Sequence, residues 1–191
     1  MQKSGLASLA FFYCDFREDQ KKDLRGMLSS LLAQLCHQSD PYCDVFCKLY
    51  LEHSSGSRQP SDSSLVKCLK EILTLPGQKP VYLIIDALDE CPLTSSVRSP
   101  RDKVLTLVEE LTRSRAPKLR ICVTSRPETG VRAILDPLSF DSISLHDESG
   151  QIEDINNYIR FVVSTDREMG RWKTADKRLV IDVLTNKTDG M

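Results

Sequence analysis

No run of apolar residues in the sequence approaches the roughly 18 needed to span a bilayer, so no membrane-spanning helix is expected. Met1 to Leu9 has neither the long apolar core nor the cleavage pattern of a signal peptide. Charge of one sign is never concentrated: the net charge is -1 and there is no basic block, which removes the electrostatic reason to expect nucleic acid. Cysteine is present, but not in a metal-binding pattern. The seven residues Cys14, Cys36, Cys43, Cys47, Cys68, Cys91 and Cys122 include no C-x-x-C pair. Cys43 and Cys47, even with His37 and His53 nearby, match no common zinc spacing. Most of the cysteines fall in apolar stretches, where a free thiol acts as a small buried hydrophobe. No internal repeat recurs at a period of about 20–50 residues. What these absences leave is a soluble cytoplasmic protein with reduced thiols and neither membrane nor nucleic acid as partner.

The apolar material that is present, 40% of residues against 28% charged, suffices for a core. It falls into alternating patterns. Leu9 to Cys14 is a short apolar and aromatic run, suited to a buried strand. Leu24, Met27, Leu28, Leu31, Leu32 and Leu35 then form one helix face. A second helix runs from Pro41 through Tyr50, and a third follows a Ser61 cap with Leu65, Cys68, Leu69, Ile72 and Leu73 on one stripe. Val81 to Ile85 is apolar without alternation, the signature of a strand covered by helices on both faces. Helices around Val104–Leu111 and Val131–Leu135 bracket a further strand, Leu119–Val123, and a weaker strand is expected at Ser142–Leu145. Helices dominate thereafter, around Ile152–Val163 and Asp176–Thr185. The expected class is α/β, a three-layer, mainly parallel sheet over residues 1–147, with the start of a helical extension over 148–191.

Ligands of such sheets sit beyond the carboxyl ends of the strands. Asp15 follows the first strand, Asp86-Ala87-Leu88-Asp89-Glu90 the second, and Thr124-Ser125-Arg126 the third. An acid directly after a bulky apolar strand resembles the Walker B element, whose carboxylate helps to hold Mg²⁺ beside nucleotide phosphates. Mg²⁺ keeps several waters, so one fixed carboxylate is enough, and Asp86 is the candidate. Glu90, alone or with Asp89, is placed to orient a water for attack. Arg126 is placed to stabilise charge developing on a phosphate, and Thr124 or Ser125 to contact the phosphate or its water.

Phe12-Tyr13-Cys14-Asp15-Phe16, Ile84 through Cys91, Ile121 through Glu128, Ser144-Leu145-His146-Asp147 and Asp189-Gly190-Met191 occur in that order. Together they resemble the NACHT domains of large fungal proteins, also described as nephrocystin-like N-terminal domains. These are STAND-class P-loop NTPases that act in signal transduction and are related to the NLR immune receptors. The resemblance implies that Asp86 is the Walker B acid, Glu90 the catalytic acid and Arg126 the sensor arginine. It implies a parent that binds ATP or GTP with Mg²⁺ and hydrolyses it slowly as a switch. Such parents add a variable effector segment and C-terminal repeats.

One part of the pattern is missing. A P-loop requires G-x-x-x-x-G-K-[ST], whose backbone N–H groups and lysine wrap the phosphates, and none of the eight glycines begins one. The resemblance places that loop and its strand before the part matching Leu6 to Phe16, so a fragment with an incomplete sheet is expected. Unpaired strand edges invite self-association. The alternative is a non-enzymatic interaction module that keeps a remnant of the fold. The 191-residue chain is predicted to show no saturable ATP–Mg²⁺ binding at micromolar levels. Calorimetry giving a one-to-one isotherm that Asp86→Ala abolishes would overturn this.

Overall fold

A computed structural model describes residues 6–53, 56, 58–94, 98–114, 116–139, 141–144 and 149–187. Three short apolar segments become strands, β1 (Ser8–Tyr13), β2 (Val81–Asp86) and β3 (Leu119–Val123). They form one parallel sheet in the order β1-β2-β3. Ser8 pairs with Val81 and Tyr13 with Asp86, while Val81 pairs with Leu119 and Ile85 with Val123. Parallel neighbours need long crossovers. Here α1 (Leu24–Cys36), α2 (Asp40–Glu52) and α3 (Asp62–Leu73) join β1 to β2, and α4 (Pro100–Arg113) joins β2 to β3. After β3 come α5 (Thr129–Leu135), α6 (Ser149–Thr165) and α7 (Thr174–Lys187).

Local chemistry sets the helix starts. Asp23 caps α1 by accepting the Gly26 N–H at 2.8 Å, and Ser61 caps α3 through the Ser64 N–H, as its position in the sequence suggests. α4 opens with Pro100 in its first turn and a reciprocal Ser99–Asp102 capping box. The stripe read from the sequence is the buried face of α1: Met27, Leu28, Leu31, Leu32 and Leu35 are all essentially inaccessible. They join Leu69 and Ile72 of α3, Val104 and Leu105 of α4, and Ala10, Phe12, Leu83 and Ile85 of the sheet in one core.

That core lies on one face of the sheet only. Alternation along each strand, combined with the register, places Leu9, Phe11, Tyr13, Tyr82, Ile84, Arg120 and Cys122 on the opposite face. Phe11 is 42% exposed and Tyr13 56%, and their rings meet edge to face at 5.4 Å. The expectation that β2 is covered by helices on both faces therefore holds for one face, and among the described residues the unit has two layers rather than three. The apolar run of β2 misled because Tyr82, 36% exposed, and Ile84, half-buried, are apolar side chains on the face that carries no core.

The two outer strands differ. Leu9 and Phe11 turn their outward backbone groups to the end of α1 and the turn after it, where two glutamines take the place of a further strand. Gln38 accepts the Leu9 N–H at 2.9 Å and donates to the Leu9 carbonyl at 2.7 Å; Gln34 does the same for Phe11 at 3.0 and 2.7 Å. On β3, Leu119 donates to the Ala116 carbonyl and receives the Arg120 guanidinium. The outward N–H and C=O groups of Ile121 and Val123 have no hydrogen-bond partner among the described residues.

The chain divides into two compact units, Met1–Ser139 and Phe140–Met191, where the sequence suggested a division after residue 147. The second is helical: α6 and α7 pack on each other, with Ile159 and Val163 buried. The weak strand expected at Ser142–Leu145 does not form over 142–144, whose residues are exposed and pair with nothing in the sheet. Its last residue, like most of the expected 144–147 and 189–191 motifs, lies outside the described residues. Alternation over four residues was too short a signal to fix a strand without a neighbour to pair with.

Gly26 supplies a sign test. Alanine is favoured over glycine inside helices by about 1 kcal/mol. A Cβ at this position, however, would lie 1.8 Å from the Gln20 carbonyl oxygen. Gly26→Ala is expected to destabilise the chain by about 1–3 kcal/mol in urea unfolding. Stabilisation would show that the turn before α1 does not press on the helix.

Candidate functional site

Parallel pairing brings the carboxyl ends of the three strands to one edge, and each strand end is tied to its neighbour by backbone. Cys14 N–H donates to the Asp86 carbonyl at 3.0 Å, Thr124 N–H to Ile85 at 2.9 Å, and Leu88 N–H to Thr124 at 3.0 Å. Asp86, Asp89, Glu90, Thr124, Ser125 and Arg126 thus lie at the ends of two adjacent strands. Asp86 and Arg126 share an edge of the sheet, as strand adjacency predicts.

The Asp86 carboxylate is held from the side. Thr124 Oγ1 donates to Asp86 Oδ1 and accepts the Ala87 N–H at 2.9 Å. Ala87 has φ 53 and ψ 48 and is the one non-glycine residue with positive φ among the described residues. A left-handed alanine costs on the order of 1–2 kcal/mol, and the bond to Thr124 helps to hold it. This turn drops the chain into a 3₁₀ segment, Leu88–Glu90, anchored by the fully buried Leu88.

Asp89 and Glu90 then part company. Asp89 is 9% exposed, and Arg126 takes up both of its oxygens: the Arg126 N–H donates to Oδ1 at 3.0 Å and the guanidinium lies 3.4 Å from Oδ2. Asp89 therefore ties the second strand end to the third. The Glu90 carboxylate has no hydrogen-bond partner among the described residues, and the guanidinium that feels its charge is Arg17. Arg126 keeps a 78% exposed side chain, and Ser125 Oγ donates to the Arg126 carbonyl.

Three features of this edge escaped the sequence reading. Arg17 grips Asp15 at 3.0 Å through Nε and again through Nη2, and its backbone N–H also donates to Asp15. Those bonds lower the Asp15 carboxyl to about 2. Cys14 and Cys91, both buried, stand 3.5 Å apart at sulfur. The Cys91 S–H donates to the Cys14 sulfur, and this pairing together with burial raises the Cys14 thiol well above its ordinary range. Arg101 reaches from α4 beneath the turn that carries the acids. Its signal was available: Arg101 sits on the stripe of Val104, Leu105 and Val108, where a charged residue must find buried partners.

The donor set fits a magnesium ion held by one protein carboxylate, with Asp86 Oδ2 free of hydrogen bonds and hard in character. Among the described residues no group of three or more His, Cys, Asp or Glu side chains could enclose a metal. No helix among them is long and apolar enough to cross a membrane.

A family model described as Nephrocystin 3, N-terminal, matches residues 1–126, from before β1 to the arginine after β3. No curated protein and no solved structure matches the chain.

Thr124→Val removes both the donor to Asp86 and the acceptor for Ala87, and is expected to cost about 1 kcal/mol. Amide exchange at Ala87 should quicken, whereas Thr124→Ser should behave as the parent. Unchanged exchange at Ala87 in the valine variant would show that the hydroxyl does not hold the turn.

Proposed function

This chain belongs to the Nephrocystin 3, N-terminal family, and we propose that it is part of a NACHT-type P-loop nucleotide-binding domain of a signal-transducing NTPase. The observation that carries the reading is the meeting of Asp86, Glu90 and Arg126 at the ends of the adjacent parallel strands β2 and β3. A P-loop NTPase needs an acid for magnesium, a group to orient the attacking water and a cation for the charge that develops on phosphate. Asp86, with Oδ1 fixed by Thr124, supplies the first. Glu90, the acid that Arg126 does not occupy, supplies the second. Arg126, anchored through its backbone to Asp89 and exposed at its guanidinium, supplies the third. Asp89 acts by positioning Arg126 rather than by activating water. When bound, Mg²⁺ with ATP or GTP would bring Lewis-acid stabilisation of the phosphates. The glycine-rich loop that grips a triphosphate is absent from the sequence, so these residues supply the hydrolytic edge and not the cradle.

A second reading, a non-enzymatic interaction module, draws support from the exposed apolar sheet face of Phe11, Tyr13 and Tyr82 and the open outer edge of β3. One set of variants separates the two. In a protein that joins these residues to an upstream phosphate loop, Asp86→Asn should abolish Mg²⁺-dependent nucleotide binding. Glu90→Gln should bind normally and hydrolyse about 10²-fold more slowly, and Arg126→Ala should lose about 10²–10³-fold in turnover. Turnover unaffected by all three, or no nucleotide binding even with the loop in place, would leave the interaction reading.

A further inference from the structure

Arg101 is the second residue of α4, and its side chain is 8% exposed. A guanidinium stays charged at any pH a protein survives, so burying one is unfavourable unless its donors are met. All three nitrogens of Arg101 have acceptors. Nε donates to the Cys91 carbonyl at 2.9 Å, Nη2 to the Asp89 carbonyl and Nη1 to the Glu128 carboxylate. The first two hold the backbone on either side of Glu90. The third holds the residue that precedes α5, two positions after Arg126.

We infer that Arg101 is a positioning residue that sets the separation between the Glu90 turn and the Arg126 loop, by bridging the backbone on both sides of Glu90 to the Glu128 carboxylate. The two loops are joined twice. On the exposed side Asp89 binds Arg126, and on the buried side Arg101 binds Asp89, Cys91 and Glu128. The second joint is the stiffer, because a planar fork with directed donors fixes angles as well as distances. A lysine would keep the charge and lose the geometry, since one ammonium cannot point along three such directions. The proposal takes its functional meaning from the nucleotide reading of Glu90 and Arg126, while its physical content concerns only these residues.

A merely structural role would loosen the whole unit, whereas positioning loosens two loops. Hydrogen exchange on the full chain separates these outcomes. The relevant amides are those of Leu88, Glu90 and Cys91 in the first loop, and Arg126, Glu128 and Val131 in the second, all hydrogen-bonded in the native fold. Arg101→Lys is expected to raise exchange about tenfold in both loops, with β1 and α1 unchanged. Glu128→Ala, at a residue whose side chain is 43% exposed, should raise exchange in the second loop alone. Glu128→Gln, which keeps an acceptor, should restore protection. Wild-type exchange in Arg101→Lys, or a uniform rise that includes β1 and α1, would overturn the proposal. Should the lysine variant fail to fold, unchanged exchange at Arg126–Val131 in Glu128→Ala would overturn it instead. Nucleotide turnover does not enter this readout, so a failure of the nucleotide reading would appear separately, as hydrolysis indifferent to Asp86 and Arg126.

Discussion

Everything at the candidate site depends on β2 pairing in parallel with both of its neighbours. Parallel register carries Tyr13, Asp86 and Val123 to the same end of the sheet. The polar residues that follow each strand then meet although they are far apart in sequence. An antiparallel neighbour would have sent either Asp15 or Arg126 to the other end. The helices serve this pairing by burying Ala10, Phe12, Leu83 and Ile85 against α1 and α4, which fixes the register by fixing which side chains face inward.

Charge organises the edge that the sheet creates. Three arginines each bind an acid: Arg17 binds Asp15, Arg126 binds Asp89 and Arg101 binds Glu128. Their settings differ, and so do their consequences. Arg17 and Arg126 are largely exposed, where ion pairs are screened and contribute little to stability. Arg101 is buried and bonded at every nitrogen, so its geometry is enforced by the cost of leaving any donor unmet. Among the described residues, Asp86 and Glu90 are the acids of this edge without a cation at hydrogen-bond range. Negative potential is thereby left where a divalent cation and phosphates would assemble under the proposed function.

The sheet treats its two borders in opposite ways. Gln34 on α1 and Gln38 in the turn just after it meet the outward donors and acceptors of Phe11 and Leu9 and close the β1 side. Nothing among the described residues does this for Ile121 and Val123. Open edges are where further strands can add, and among the described residues the open edge is that of β3.

The order of strands and helices, the buried face of α1 and the acids and arginine after β2 and β3 were legible in the sequence. Apolar periodicity and strand-end polarity are local properties, written in consecutive residues. Ser61 and Asp86 could be read for the same reason, one as a cap and the other as the acid that ends an apolar strand. The coverage of the sheet was not legible. Whether Tyr82 and Ile84 lie beneath a helix or in the open depends on where distant helices pack, and their apolar character is the same in either case. Four residues at 142–145 could not fix a strand, because a strand exists only with its partner. That Arg126 binds Asp89 and not Glu90 was likewise beyond reach: adjacent acids are equivalent in one dimension. By itself the sequence determined which groups stand at the sheet's edge. The tertiary structure decided which of them are bound by arginine and which remain free, because that depends on donors brought from α4 and from beyond β3.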